Sequence, residues 1–282
     1  MLHPDLRTAL QTPDPDALRI PLLRSTLYLP LKGLNKYGAG TGELATRSVK
    51  KVPHVRIFLV EEELRATPRI GGWHRRLTGM EFCADLPADH GIEITDGEQQ
   101  IRLGADAADT LRSWAAEDLA SLQADAQTRY PRLPLGPDPE SVDHRTLGRH
   151  VAEIFASQQG WDAAQLVIRM AGETHQAELN LTDADDTRPA EVSPELLDQI
   201  ATERQAQSRP GVGAWFSLSA QRQSAPNQRT APRVPLNWDH EPAWQPAVDP
   251  AVYLREQELF PRSAEWMPVW LKIRLQEARE AQ

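Results

Sequence analysis

A single cysteine stands among the 282 residues, so neither an intramolecular disulfide nor a cysteine-built zinc site can form. Cys83 lies in the half-apolar run Met80-Glu81-Phe82-Cys83-Ala84 and reads as a small buried hydrophobe. Long apolar runs are also missing. The longest stretch free of Asp, Glu, Lys and Arg is Pro210–Gln221, far short of the roughly 20 apolar residues of a membrane span. Asp5, Arg7, Asp14 and Asp16 break up the basic-then-apolar layout of a secretory signal, so a cytoplasmic location is expected.

The motifs of familiar chemistry are missing as well. A phosphate-cradling Walker loop needs Gly-Lys-Ser/Thr at the mouth of a helix. A dinucleotide fingerprint needs Gly-x-Gly-x-x-Gly. The glycine-rich stretch Lys36-Tyr37-Gly38-Ala39-Gly40-Thr41-Gly42 satisfies neither. There is no Gly-x-Ser-x-Gly elbow. The eight histidines are scattered; His144 and His150, six apart, lie about 240° apart around a helix. Asp183-Ala184-Asp185-Asp186 lacks the glycine and the closing Glu of a calcium loop and reads as the solvated end of a strand. No catalytic residue, metal set or cofactor is therefore expected.

Charge is present but uneven. The net charge of −9 opposes a surface that is wholly a nucleic-acid footprint. From Lys32 to Arg76, however, ten basic and four acidic residues give +6, leaving −15 for the remainder. Lys32, Lys36, Lys50 and Lys51 are four of the five lysines. With Arg56 they form a candidate anion contact, against the plainer reading of a flexible loop with solvated lysines.

The 23 prolines mark boundaries. Tyr130–Asp143 holds four of them and Gln221–Pro250 six, and such runs neither continue a helix nor pair centrally in a sheet. The expected organisation is α+β: an N-terminal α/β domain over 1–129, a proline-rich linker over 130–143 and a C-terminal α+β domain over 144–220. A Pro/Gln-rich arm over 221–250 and a helical tail over 251–282 follow.

Within the first block, Asp14–Arg24 reads as a helix, Ser25–Pro30 and Val55–Val60 as strands, and Gly33–Val52 as a loop. Glu61-Glu62-Glu63 suits the first turn of a short helix. Gly91–Thr95 and Glu98–Leu103 flank the turn pair Asp96-Gly97. Asp106–Thr128 has helical spacing through Leu111, Trp114, Ala115, Leu119 and Leu122. In the second block, Thr146–Ser157 reads as a helix and Leu166–Met170 with Gln176–Leu181 as two strands. Ser193 caps a helix with Pro194 at its first position, and Val212–Leu218 reads as a closing strand.

Half of the eight tryptophans, Trp238, Trp244, Trp266 and Trp270, fall in the last 45 residues. A proline-rich arm cannot bury them within itself. They dock on the protein's own body, pair with a second copy or anchor a partner. Pro268 suits the first turn of a terminal helix bearing Trp270, Leu271, Ile273 and Leu275.

In pattern, the chain resembles the SseB family, the bacterial enhanced serine sensitivity proteins, which pair an N-terminal α/β domain with a smaller C-terminal one. The likeness rests on Pro21–Pro30, on Ile57–Leu64, on Gly91–Leu103, on Thr146–Ser157 with Leu166–Met170, Glu178–Leu181 and Asp183–Asp186, and on Trp266–Arg274. It touches about two-thirds of the chain. Two departures stand out: Leu59-Val60-Glu61-Glu62-Glu63 replaces the family's usual Thr-Ser-x-x-Glu, and the arm 221–250 is longer. The family has no established catalytic residues to carry over, so the resemblance implies a non-enzymatic, protein-interaction or adaptor role. The alternatives are polyanion or nucleic-acid binding through 32–76, and a hydrolase in which folding unites Asp89, His90 and His144.

Overall fold

The computed structural model describes residues 3–11, 14–31, 44–67, 74–97, 99–135, 144–184, 186–223 and 232–282. Lys32, Lys36, the glycine-rich stretch, Trp73 and Asp185 lie outside them, as do positions 136–143 of the linker and 224–231 of the arm. The chain is α+β and divides into two compact units, Met1–Asp125 and Ala126–Gln282.

The first unit runs α1 (Leu6–Ala9), α2 (Pro15–Leu23), β1 (Thr26–Pro30), β2 (Thr46–Val49), β3 (Val52–Phe58), α3 (Glu61–Ala66), β4 (His74–Thr78), α4 (Gly79–Ala84), β5 (Gly91–Asp96), β6 (Gln99–Leu103) and α5 (Ala105–Arg129), whose last turn passes the division. The sheet order is β4-β1-β3-β5-β6, with β2 also on β3. Only β3 and β5 pair in parallel; the other pairings are antiparallel. Leu27, Leu29, Val55, Ile57, Ile92 and Ile94 fill the interior, each contributing about 1.5–3 kcal/mol of burial.

Local chemistry sets the boundaries. Asp14 accepts from the Asp16 amide ahead of Pro15, which starts α2. Thr78 and Glu81 form a reciprocal capping box at the start of α4. The pairing Asp96↔Gln99 closes the expected hairpin just beyond Gly97, whose φ of 51° is open to glycine at little cost.

The second unit runs α6 (His144–Ala156), β7 (Ala163–Ala171), β8 (Thr174–Asp183), β9 (Asp186–Ala190), α7 (Pro194–Gln207), β10 (Ser217–Gln223), β11 (Leu236–Asn237), α8 (Ala251–Leu259), a 3-10 turn (Ala264–Trp266) and α9 (Val269–Glu280). Its antiparallel sheet is ordered β11-β10-β7-β8-β9. Leu147, Val151, Ile154 and Phe155 of α6 and Leu197 and Ile200 of α7 pack with Leu166, Ile168, Leu179 and Leu181 of the sheet. Ser193 caps α7 through the Leu196 amide, as expected.

Three sequence expectations change. The end of the expected Gly33–Val52 loop is strand β2, held in register by Thr46↔Val55 and Val49↔Val52. The closing strand begins at Ser217 rather than Val212. Gly211 and Gly213 have φ of 82° and 89°, and Arg209 and Gly213 exchange backbone hydrogen bonds, so that stretch turns instead of extending. The edge strand β9 appears where no apolar periodicity announced it, whereas helix α8 falls within the helical tail expected over 251–282.

Candidate functional site

The tryptophan-bearing tail belongs to the second unit's own core. Trp270 lies between Phe216 and Tyr253, with ring centroids 4.8 and 5.4 Å away and both contacts edge-on. Its indole N–H donates to Asp239 O at 2.7 Å, and Trp244 donates to the Tyr253 hydroxyl at 2.9 Å. Trp244 and Trp270 are buried, and Trp238 is partly buried against the α6–α7–sheet core. Of the four residues expected as partner anchors, three thus serve the fold. Trp266, 47% exposed, faces solvent.

Charges lie buried around this aromatic cluster. Arg204 of α7 grips both carboxylate oxygens of Glu256 of α8, at 2.6 and 2.8 Å, and donates from Nε to Trp215 O at 2.7 Å. Its guanidinium stacks 4.4 Å from the Phe260 centroid. Glu256 also accepts from the Gly172 amide at 2.7 Å. Arg262 lies 4.4 Å from the Phe216 centroid and donates to Ala214 O. Burial pulls its guanidinium down to about 10, the nearby Glu256 opposing the shift. Arg274 and Glu241 form a second buried pair at 2.7 Å.

Beside the tail the unit opens a cleft of about 550 Å3 between the segment 129–133, α8 and the end of α9. The segment is pinned there: Ala264 N donates to Tyr130 O at 3.0 Å and Leu133 N to Ser263 Oγ at 2.9 Å. Leu135, 45% exposed, follows on this segment, and Leu259, 38% exposed, ends α8.

The expected anion contact falls only in part within the described residues. Lys50 and Lys51 are exposed at the β2–β3 turn, with φ of 49° and 72°. Two consecutive non-glycine residues in that region match a type I′ hairpin turn, and exposed Arg47 precedes them on β2. Arg56 belongs to another arrangement. It donates to fully buried Glu93 at 2.6 Å, and Arg102 binds the other Glu93 oxygen at 3.0 Å. Lys32 and Lys36 lie outside the described residues.

One cluster was not foreseen from the sequence. The β1–β4 register pairs Tyr28 with Arg76 and Pro30 with His74, placing all four on one sheet face. His74 Nε2 lies 3.4 Å from Glu61 Oε1 of α3. The Tyr28 ring is 6.0 Å from His74 and 5.7 Å from the Arg76 guanidinium. The hydrogen bond from His74, reinforced by Arg65, outweighs burial and lowers the Glu61 carboxyl to about 2. Only strand register reveals this grouping, and no local motif carries it.

Of the residues of the expected hydrolase alternative, Asp89 and His90 belong to the first unit and His144 to the second. His90 directs Nδ1 at Ala88 O, 2.9 Å away, next to Asp89 with its φ of 61°. His144 begins α6 in the other unit, and its side chain lies outside the described residues. Among the described residues, no group of three His, Cys, Asp or Glu side chains is placed to hold a metal ion. No helix among them is long and apolar enough to cross a membrane. No protein-family model and no curated protein matches the chain.

Proposed function

We propose that this is a non-enzymatic, SseB-like interaction or adaptor protein of the cytoplasm, and that the second unit presents its partner-binding face. The observation that carries the reading is Trp266. It is the one tail tryptophan left to solvent, it sits on a turn fixed by the Ser263 hydroxyl, and it neighbours the exposed segment ending in Leu135. Arg132 and Glu265, 3.4 Å apart, add a polar rim to the same two segments. A large exposed aromatic on a rigid support, rimmed by charge, is the composition of an interface anchor.

The test compares the wild-type chain with Trp266→Ser and Leu135→Ser as bait for proteins of its own cell, with sedimentation velocity reporting self-association. Loss of a captured partner or of a dimer in folded variants supports the face. Identical capture and sedimentation in all three sinks it.

A second reading, polyanion binding by the first unit, draws on the Lys50-Lys51 hairpin tip and Arg47. Retention on heparin or nucleic acid should then fall steeply with salt. Lys50→Glu with Lys51→Glu should abolish it, whereas unchanged retention would dismiss this reading.

A further inference from the structure

We propose that the Asp96-Gly97 bond is a latent modification site, where the chain converts to isoaspartate, and that Glu63 of α3 keeps it closed. The proposal does not rest on the Trp266 face. An Asp followed by Gly is the pair most open to this reaction, because glycine leaves the attacking nitrogen unhindered. The fold nonetheless needs glycine there. Gly97 has a φ of 51°, and an added Cβ would come 2.5 Å from Glu63 Oε1.

The reaction is internal and needs only water. The Gly97 nitrogen bonds to Asp96 Cγ, the amide proton and the carboxyl hydroxyl leave as water, and a cyclic imide remains. Water then adds back and opens the imide at either carbonyl. Opening at the Asp96 backbone carbonyl leaves the main chain running through Cβ and Cγ, with mass and oxidation state unchanged.

The surroundings oppose this step. The Gly97 N–H donates to Glu63 Oε2 at 2.6 Å, so the nitrogen must give up an ionic acceptor before it attacks. A carboxylate is too weak a base to take an amide proton, and its charge repels the amide anion as it forms. Glu63 therefore hinders the attack and does not assist it. Asp96 Oδ1 lies 3.3 Å from Arg7 Nη2, a contact the side chain has to leave to reach Gly97. The pairings Thr95↔Gln100 and Asp96↔Gln99 hold Asp96 extended at the end of β5. Glu63 is itself positioned by α3, which is anchored through buried Leu64 and the Glu61–His74 contact. The bond becomes reactive when α3 lifts from the hairpin.

The test incubates the whole protein at neutral pH beside the urea-unfolded chain and locates isoaspartate in tryptic peptides by electron-transfer fragmentation. Folded wild type should convert at least about tenfold more slowly than the unfolded chain. Glu63→Ala should raise the folded rate roughly threefold to tenfold, the weight of one charge-assisted hydrogen bond in water, with unchanged circular dichroism. Glu62→Ala, which takes an equal charge from the exposed face of the same helix, should leave the rate as it is. If Glu63→Ala loses its fold, Glu63→Gln, which keeps an oxygen acceptor without the charge, should raise the rate to a lesser degree. Equal conversion of folded and unfolded chains, an unchanged rate in the folded Glu63 variant, or equal acceleration by Glu62→Ala overturns the proposal.

Discussion

Arg204 and Glu256 meet at 2.6 Å with side chains only 2% and 1% exposed, which joins α7 to α8 through an ion pair closed off from water. Removing one partner strands the other charge in the interior, at about 3–5 kcal/mol. Glu256→Gln and Arg204→Met should each lower the urea midpoint of the second unit's transition by that measure. The double replacement Arg204→Met, Glu256→Met should cost distinctly less than the sum. Additive losses would show that the two charges are not coupled.

Gly213 holds φ at 89°, and a Cβ added there would come 2.4 Å from Arg262 Nε. Gly213→Ala therefore strains the backbone and pushes a buried guanidinium off Phe216. A loss of about 2–4 kcal/mol in thermal or urea unfolding is expected. Gly104→Ala, where nothing lies within 4 Å of the added carbon, is the matched control and should change stability little.

Glu61 shows how pH should act on the first unit. The hydrogen bond from His74 comes first and Arg65 second in holding its carboxyl near 2 rather than 4.5. A depressed carboxyl stabilises the fold fully above its unfolded value, and that contribution fades as pH falls from about 4.5 toward 2. The stability difference between wild type and Glu61→Gln should be largest at neutral pH and shrink through this window. Urea midpoints at several pH values read it directly, and a gap that stays constant into acid contradicts the assignment.

Cys83 has no exposed surface, and burial raises its thiol to about 12. Since the thiolate is the reactive species, Ellman's reagent at neutral pH should modify the native protein far more slowly than the urea-unfolded chain. Equal rates would place the side chain at the surface.

Local signals announced a good share of this fold. The cap at Ser193, the helical stripe of α5 and the turn at Gly97 each depend on residues a few positions apart, and such relationships are legible in the sequence. Strand β4 carries His74, Arg75 and Arg76 and takes its place at the sheet edge only by pairing with β1. Helix α8 shows little apolar pattern because one of its two buried side chains is Glu256, whose partner Arg204 lies 52 residues earlier. The candidate sites have the same character. The four late tryptophans stood out in the sequence, but their division into three packed side chains and one exposed one was set by Phe216, Tyr253 and the Leu166–Leu181 region of the core. The cleft draws on three separated segments, and the Tyr28–Glu61–His74–Arg76 grouping depends on strand register. No spacing rule records either.

The docking of Trp270 on Phe216 and Tyr253 has a consequence for how the protein is made. Ribosomes deliver β7, β8 and α7 well before α8 and α9, so the emerging second unit waits with Phe216 uncovered and Arg204 lacking its carboxylate. Exposed apolar surface of that kind recruits chaperones and proteases. A chain interrupted ahead of α8 therefore keeps Phe216 without Trp270 and Arg204 without Glu256.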